Sequence, residues 1–297
     1  MPEPGELILT GDMLTGVGGC AANVAVVLAR LGVDVGLAAV VGDDGQGREV
    51  RDHLLKQGVD VSRLIVAPDT STSQTVILPV SGQDRRYIHS IGANGQFSAE
   101  FAATEPGTME VVAMGGFLSL PAADPEEVAE VFAQTRASGG RTVLDVVVPN
   151  HEIGLEEKLS TVLPHVDLFT PNYDEAFLLT GESSPEAQAA RILEQGAHAV
   201  VVTCGGDGAL YADAERTLRV LPLELGTFDA SGAGDAFTAG MVFGIVHDWD
   251  IEQSLRFAAT LGASVTRALG TTTSLYTIDE AHAASQRVTV VSQQKKE

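Results

Sequence analysis

Apolar positions along the chain fall into two alternating rhythms. Short, almost unbroken apolar runs that stop at Gly, Pro or Asn read as buried strands: DVGLAAVVG (34–42), EVVAMGG (110–116), RTVLDVVV (141–148), VDLFTPN (166–172) and HAVVVTCGG (198–206). Between them lie stretches with helical spacing: AANVAVVLARLG (21–32), GQGREVRDHLLKQG (45–58) and DPEEVAEVFAQTRASGG (124–140). In the last, Asp124 is placed to cap, Pro125 suits the first turn, and Gly139 ends the run. Strands alternating with helices predict a mostly parallel sheet with helices on both faces. With no internal repeat or long linker, residues 1–297 read as one domain.

One stretch breaks the alternation. TSQTVILPVSGQDRRYIHSIGAN (72–94) carries two β-like segments joined by the turn SGQD, which predicts a hairpin standing off the main sheet as a lid. The opening GELILTGDMLTG (5–16) would add short strands beside it, so the lid is expected from about 1–17 and 71–96.

Charge narrows the partners. The net charge is −22, and Lys56, Lys158, Lys295 and Lys296 are the only lysines. Such a chain repels nucleic acid and anionic membranes, and no apolar run approaches the roughly 20 residues of a membrane span. MPEPGELILT lacks the basic and apolar regions of a secretory leader. Cys20 and Cys204 are far apart and form no CxxC, so neither a disulfide framework nor a zinc site is expected. A reducing, cytoplasmic setting follows.

The candidate chemistry centres on DASGAGD (229–235), which precedes the apolar run AFTAGMVFGIV (236–246). Gly232 and Gly234 let a ligand approach the backbone. A helix starting near Ala233 would aim free N–H groups and its positive end at that ligand, as phosphate or developing phosphoryl charge requires. Asp235, in the first turn, could take a proton from an attacking hydroxyl. It could equally be a helix-stabilising acid, but a charge at the mouth of a helix that is apolar all round needs a reason. Asn172 and Glu175, three apart, share one helix face and read either as a capping box or as oxygen ligands organising Mg²⁺. Asn23, on an apolar helix, is a satisfied core amide or a ligand group. Asp43 and Asp44 suit a turn, and His89 an ordinary strand.

DASGAGDAFTAG (229–240) resembles the C-terminal signature of the ribokinase-like (PfkB) carbohydrate kinases, and GGCAANVAVVLARLG (18–32) resembles their N-terminal one. VVGDDGQG (40–47), GVDVS (58–62), GAN (92–94), TPNYDEA (170–176), VVTCGGDGAL (201–210) and TRALGTTTS (266–274) follow in the family's order. The resemblance implies a three-layer α/β/α fold with a small β lid. It implies an ATP- and Mg²⁺-dependent kinase that transfers the γ-phosphoryl group to a hydroxyl of a sugar or related small molecule. Nucleoside kinases of the same superfamily are the near alternative. In this resemblance Asp235 is the base, and the amides of Gly232, Ala233, Gly234 and Asp235 form the anion hole. Asp229 lies near the nucleotide and a monovalent-cation (K⁺) site. Asn172 and Glu175 organise Mg²⁺ through water. Thr203, Gly205 and Gly208 meet ATP. Gly18, Gly19, Asn23 and Asn94 contact the sugar. Lid strands pairing between subunits would give a homodimer.

Two departures stand out. The family carries a first strand, ahead of its Pro-Gly-Glu segment, with a glycine and then a substrate-binding aspartate. Here Pro-Gly-Glu is residues 4–6, that strand has no counterpart, and Asp12 comes after it. A misplaced start, another segment filling the gap, or a binding-only chain that has lost turnover would each account for this. Cys20 takes a position that is often small or basic in the family, where it would bias substrate choice or simply pack.

Overall fold

The computed structural model describes residues 5–7, 9, 11–78, 86–102, 108–149 and 154–293. The first half of the chain forms α1 (Cys20–Arg30), β1 (Ala39–Gly42), α2 (Gly45–Lys56), β2 (Leu64–Ala67), β3 (Gln74–Leu78), β4 (Arg86–Ser90), β5 (Val111–Met114), α3 (Pro125–Ala137) and β6 (Arg141–Leu144). The second forms α4 (Leu155–Val162), β7 (Leu168–Phe169), α5 (Tyr173–Thr180), α6 (Pro185–Glu194), β8 (Ala199–Thr203), β9 (Ala209–Asp213), β10 (Thr217–Val220), α7 (Ala233–Val246), α8 (Ile251–Val265), α9 (Ile278–Ser285) and β11 (Val290–Gln293). Helix ends follow the local chemistry. Asp124 accepts from the N–H groups of Glu126 and Glu127, and Pro125 opens α3, a cap worth about 1 kcal/mol.

Among the described residues the large sheet has seven strands in the order β11-β10-β9-β8-β7-β6-β5. β5 to β8 run parallel, and β9 to β11 continue antiparallel. Its side chains alternate between two cores. Val143, Leu168, Val201 and Tyr211 pack with α1, α7, α8 and α9. Leu144, Phe169, Val200, Val202 and Leu210 pack with α3, α4, α5 and α6. This is the expected α/β/α sandwich.

β1 and β2 form a separate parallel pair. α1 spans both units: Val24, Val27 and Leu28 join the core of the large sheet, while Ala25 and Val26 pack with Leu37, Leu54 and Val59. β3 and β4 form the antiparallel lid hairpin, paired from Gln74↔Ser90 to Leu78↔Arg86, with every residue of β4 exposed. The SGQD turn lies outside the described residues. The described residues of 5–17 carry no strand, and Leu7, Leu9, Met13 and Leu14 are exposed.

The lid is clamped at its base. Asp44 caps α2 through the Gly47 N–H (2.7 Å) and accepts from the N–H and Oγ1 of Thr72 (2.8 and 2.6 Å). Thr72 Oγ1 in turn accepts from the Gly42 N–H at 3.0 Å. These bonds favour the charged carboxylate and hold the Asp44 carboxyl below its usual range. The GDDG turn is therefore the anchor from which the lid departs.

α7 is the central helix. Ala236 to Gly244 are all buried. Its glycines permit the close crossing of α8: a Cβ on Gly240 would lie 2.5 Å from Ala258 Cα, and one on Gly244 would lie 2.2 Å from Ser254 Oγ.

Candidate active site

The entry to α7 is built on Gly232. Its φ of 78° is left-handed, and a Cβ there would sit 2.4 Å from the Thr271 carbonyl oxygen; both facts demand glycine. The loop 266–274 is thereby laid over the start of the helix. Arg30 Nη1 donates to the Thr272 carbonyl at 2.6 Å and pins the loop from α1. Asp229 ties the same parts together. Its Oδ1 accepts from the N–H and Oγ of Ser231 (3.0 and 2.8 Å), and its Oδ2 accepts from the Gly270 N–H at 3.4 Å.

Of the four amides expected to form an anion hole, that of Ala233 is engaged within the protein. The Ala233 N–H bonds the Ala230 carbonyl at 3.3 Å, and the first i→i−4 bond runs from the Ala236 N–H to the Gly232 carbonyl at 2.9 Å. The amides of Gly234 and Asp235 lie in the first turn between these two. Open space surrounds the point where a Gly234 side chain would stand.

Asp235 projects from this first turn into a polar cluster. Asn23 Nδ2 donates to Asp235 Oδ2 at 2.7 Å, and Thr271 Oγ1 donates to Asn23 Oδ1 at 2.8 Å. Asn23 is buried (5% exposed). One amide N–H and one lone pair remain for any further partner. It is thus a core amide with two protein partners that also orients the carboxylate. Burial pushes the Asp235 carboxyl above its usual range, and the bonds from Asn23 and Cys20 oppose the rise.

Sequence reasoning missed Asp145. It follows β6 directly, its N–H donates to the Met114 carbonyl at 2.8 Å, and its carboxylate takes the Gly116 N–H. The available signal was an acid closing the apolar run RTVLD, since open α/β sheets bind ligands at the carboxyl ends of their strands. Desolvation, then the charges of Asp235 and Glu175, pushes the Asp145 carboxyl well up. Cys20, at the start of α1, completes the group. Desolvation and then the neighbouring acids raise its thiol well above the ordinary range. Its sulfur lies within 4.8 Å of an oxygen of each of the two carboxylates.

Asn172 and Glu175 make the capping box: Asn172 Oδ1 accepts from the Glu175 N–H and Glu175 Oε2 from the Asn172 N–H, each at 2.9 Å. Glu175 nevertheless belongs to the cluster. Burial raises its carboxyl to about 7, with the charge of Asp235 contributing. The Thr203 N–H donates to the Pro171 carbonyl at 3.0 Å, which draws the end of β8 alongside. Gly205 and Gly208 turn the chain from β8 into β9, and a Cβ on Gly208 would lie 2.0 Å from the Val220 carbonyl oxygen. Gly19, with φ 101°, caps α1, and Gly18 precedes it, exposed. Asn94 lies in a turn next to Ala93, whose N–H bonds the Ser71 carbonyl at 2.8 Å; this places it at the base of the lid rather than in the Asp235 cluster.

An acid in the first turn of a buried helix, beside a second acid at the carboxyl end of β6, suits phosphoryl transfer to a small molecule. Residues 2–278 match the pfkB family carbohydrate kinases, and the chain belongs to that family. It is 25% identical over 269 residues to an ATP-dependent 6-phosphofructokinase of Thermoanaerobacterium thermosaccharolyticum, covering 88% of this chain and 82% of that one. It is 26% identical over 271 residues to a ribokinase of Haemophilus influenzae, covering 89% and 86%. Among solved structures, an E. coli protein described as a ribokinase II, in complex with ATP and Mg²⁺, superposes with a TM-score of 0.80 at 26% identity, covering 95% of this chain and 94% of that one. Among the described residues no helix is long and apolar enough to cross a membrane.

Proposed function

We propose that this chain transfers the γ-phosphoryl group of ATP to a hydroxyl of a sugar or a close derivative, with Asp235 as the base. The observation that carries this reading is the Asp235 carboxylate, held by Asn23 at 2.7 Å in the first turn of a buried helix. The acceptor hydroxyl oxygen attacks the γ-phosphorus, its proton passes to the free oxygen of Asp235, and ADP leaves. The amides of Gly234 and Asp235 and the positive end of α7 face the charge on the phosphoryl oxygens. Thr203, Gly205 and Gly208 line the nucleotide side, and Gly18, Gly19 and Asn94 the acceptor side.

The acids fit a metal–nucleotide complex. The charges that push up Asp145 and Glu175 are other carboxylates, so the cluster favours a cation. Glu175, with Asn172, would hold Mg²⁺ through water, and the ion would supply charge neutralisation at the phosphates of ATP. In this reading Asp229, which accepts from the Gly270 N–H at 3.4 Å, lies near a K⁺ site. The lid hairpin, with Val76, Tyr87 and Ile88 exposed, pairs with a second copy in this reading. Two free cysteines suit the cytoplasm.

The test is ADP formation from Mg·ATP across pentoses, hexoses, sugar acids, sugar phosphates and nucleosides. One acceptor is expected to stimulate turnover. Asp235→Asn should lower kcat by about 10²–10⁴-fold, the usual range for loss of a general base. Turnover by Asp235→Asn at the wild-type rate would overturn the assignment.

A further inference from the structure

Cys20 stands where three elements meet. A Cβ added to Gly115 would lie 2.8 Å from the Ala21 nitrogen and 3.0 Å from Cys20 Cβ, so the start of α1 and the turn after β5 touch backbone to backbone. That contact presses the thiol into the angle between the end of β6 and the start of α7. One ligand atom from each of Cys20, Asp145 and Asp235 lies within 4.8 Å of the other two. Tetrahedral zinc binds sulfur at about 2.3 Å and carboxylate oxygen at about 2.0–2.2 Å, which sets its ligands roughly 3.3–3.8 Å apart. Shifts of about 1 Å, within the reach of small side-chain rotations, would bring these three atoms onto one ion. The Asp235 carboxylate is already held from behind by Asn23 at 2.7 Å. Outer bonds of this kind orient metal ligands.

We propose that Cys20, Asp145 and Asp235 form a three-ligand site for one divalent cation of borderline softness, of the zinc and cadmium class. The sulfur sets this site apart from one for Mg²⁺ or Ca²⁺, which take oxygen ligands. On binding, the S–H bond breaks and its proton goes to solvent. The thiolate sulfur and one oxygen of each carboxylate bond the ion, a water takes the fourth position, and nothing is oxidised or reduced. The ion then occupies Asp235 and blocks turnover. That last consequence rests on the base role given above; the binding itself does not.

The experiment is a Cd²⁺ titration of the purified full chain without nucleotide, read by thiolate-to-cadmium charge-transfer absorption. Competition by Zn²⁺ and X-ray absorption on the zinc-loaded wild type accompany it. Saturation at one ion per chain is expected. The band should persist in Cys204→Ser and vanish in Cys20→Ser, and the wild-type zinc spectrum should show one sulfur with oxygen neighbours. Asp145→Asn should weaken binding by more than the about 10–100-fold that loss of an outer hydrogen-bond partner costs a metal site. A band that follows Cys204, a zinc shell without sulfur, or wild-type affinity in Asp145→Asn would overturn the site; the wild-type spectrum decides even where a variant fails to fold. One-equivalent binding with turnover unaffected upholds the site and overturns the role of Asp235 instead.

Discussion

Replacing Asn23 by Ala isolates the contribution of one hydrogen bond to the proposed base. Asn23 donates to Asp235 at 2.7 Å and is itself held by Thr271 at 2.8 Å, so the amide has a fixed direction. A hydrogen bond to a charged group contributes about 1.5–3 kcal/mol. At about 1.4 kcal/mol per factor of ten, its loss lowers the rate roughly 10- to 150-fold where the carboxylate must ionise to act. The sign follows from the protonation states. Asn23 favours the ionised carboxylate against burial, so its removal raises the Asp235 carboxyl further and moves the acid limb of the kcat–pH profile to higher pH. The deficit of Asn23→Ala should therefore be largest on the acid side and narrow on the alkaline plateau, where only misorientation remains. Thr271→Val should shift the limb the same way by less. The assay is steady-state kcat and KM from acid to alkaline pH, with melting temperatures as a folding control. A rise in KM with kcat and limb unmoved would refute the reasoning and make Asn23 a substrate ligand.

Other expectations follow from single contacts. Glu175 binds its proton more tightly folded than unfolded, with its carboxyl raised from 4.5 to about 7. Stability should then fall as pH rises through that window. Glu175→Gln, which keeps the cap, should match the wild type near pH 4.5 but exceed it at pH 8 by as much as about 3 kcal/mol in urea unfolding, while losing activity. Equal pH slopes for the two proteins would contradict this. At α7, a side chain on Gly240 would meet Ala258 Cα at 2.5 Å, so Gly240→Ala should lose about 1–3 kcal/mol. Gly234→Ala faces open space; it should keep or slightly raise the melting temperature and lower activity by obstructing the phosphoryl group.

The legible parts of the fold were those set by local rules. Periodicity placed α2 and α3 to within about two residues, because Asp44, Asp124 and Gly139 mark their ends as caps and left-handed turns do. The strand at 34–42 shortened to β1 because its early residues make only an isolated bridge, Gly36↔Asp60. The antiparallel half of the sheet was not legible, since β9 to β11 look like any short apolar runs and their direction is set by long-range pairing. At the site, the ordered motifs singled out Asp235 and Glu175, where spacing alone read each equally well as a helix-stabilising or capping acid, but the sequence could not say that Asn23 would be engaged by Thr271, 248 residues away. Nor could it bring Cys20 and Asp145 together, because their meeting depends on the backbone contact between α1 and Gly115.

The cluster also explains why a carboxylate sits at the mouth of an apolar helix. α1 and α7 both begin at this point, one at Cys20 and the other two residues before Asp235, so two positive helix ends converge on it. Buried Thr238 and Thr170, linked at 3.0 Å, fasten α7 to the sheet beneath and keep that convergence rigid. Asp145 and Asp235 lie by these ends, and their carboxyls and that of Glu175 are pushed up by burial, those of Asp145 and Glu175 also by the charge of Asp235. These surroundings therefore disfavour the charged forms. A ligand carrying both a cation and phosphate resolves both halves at once: the cation answers the carboxylates, and the phosphate answers the helix ends. Metal and nucleotide should then bind with positive coupling, each tightening the other, and the full chain should gain more thermal stability from Mg·ATP together than from the sum of either alone. Simple additivity of the two melting-temperature shifts would mean that the acids and the helix ends act on separate ligands.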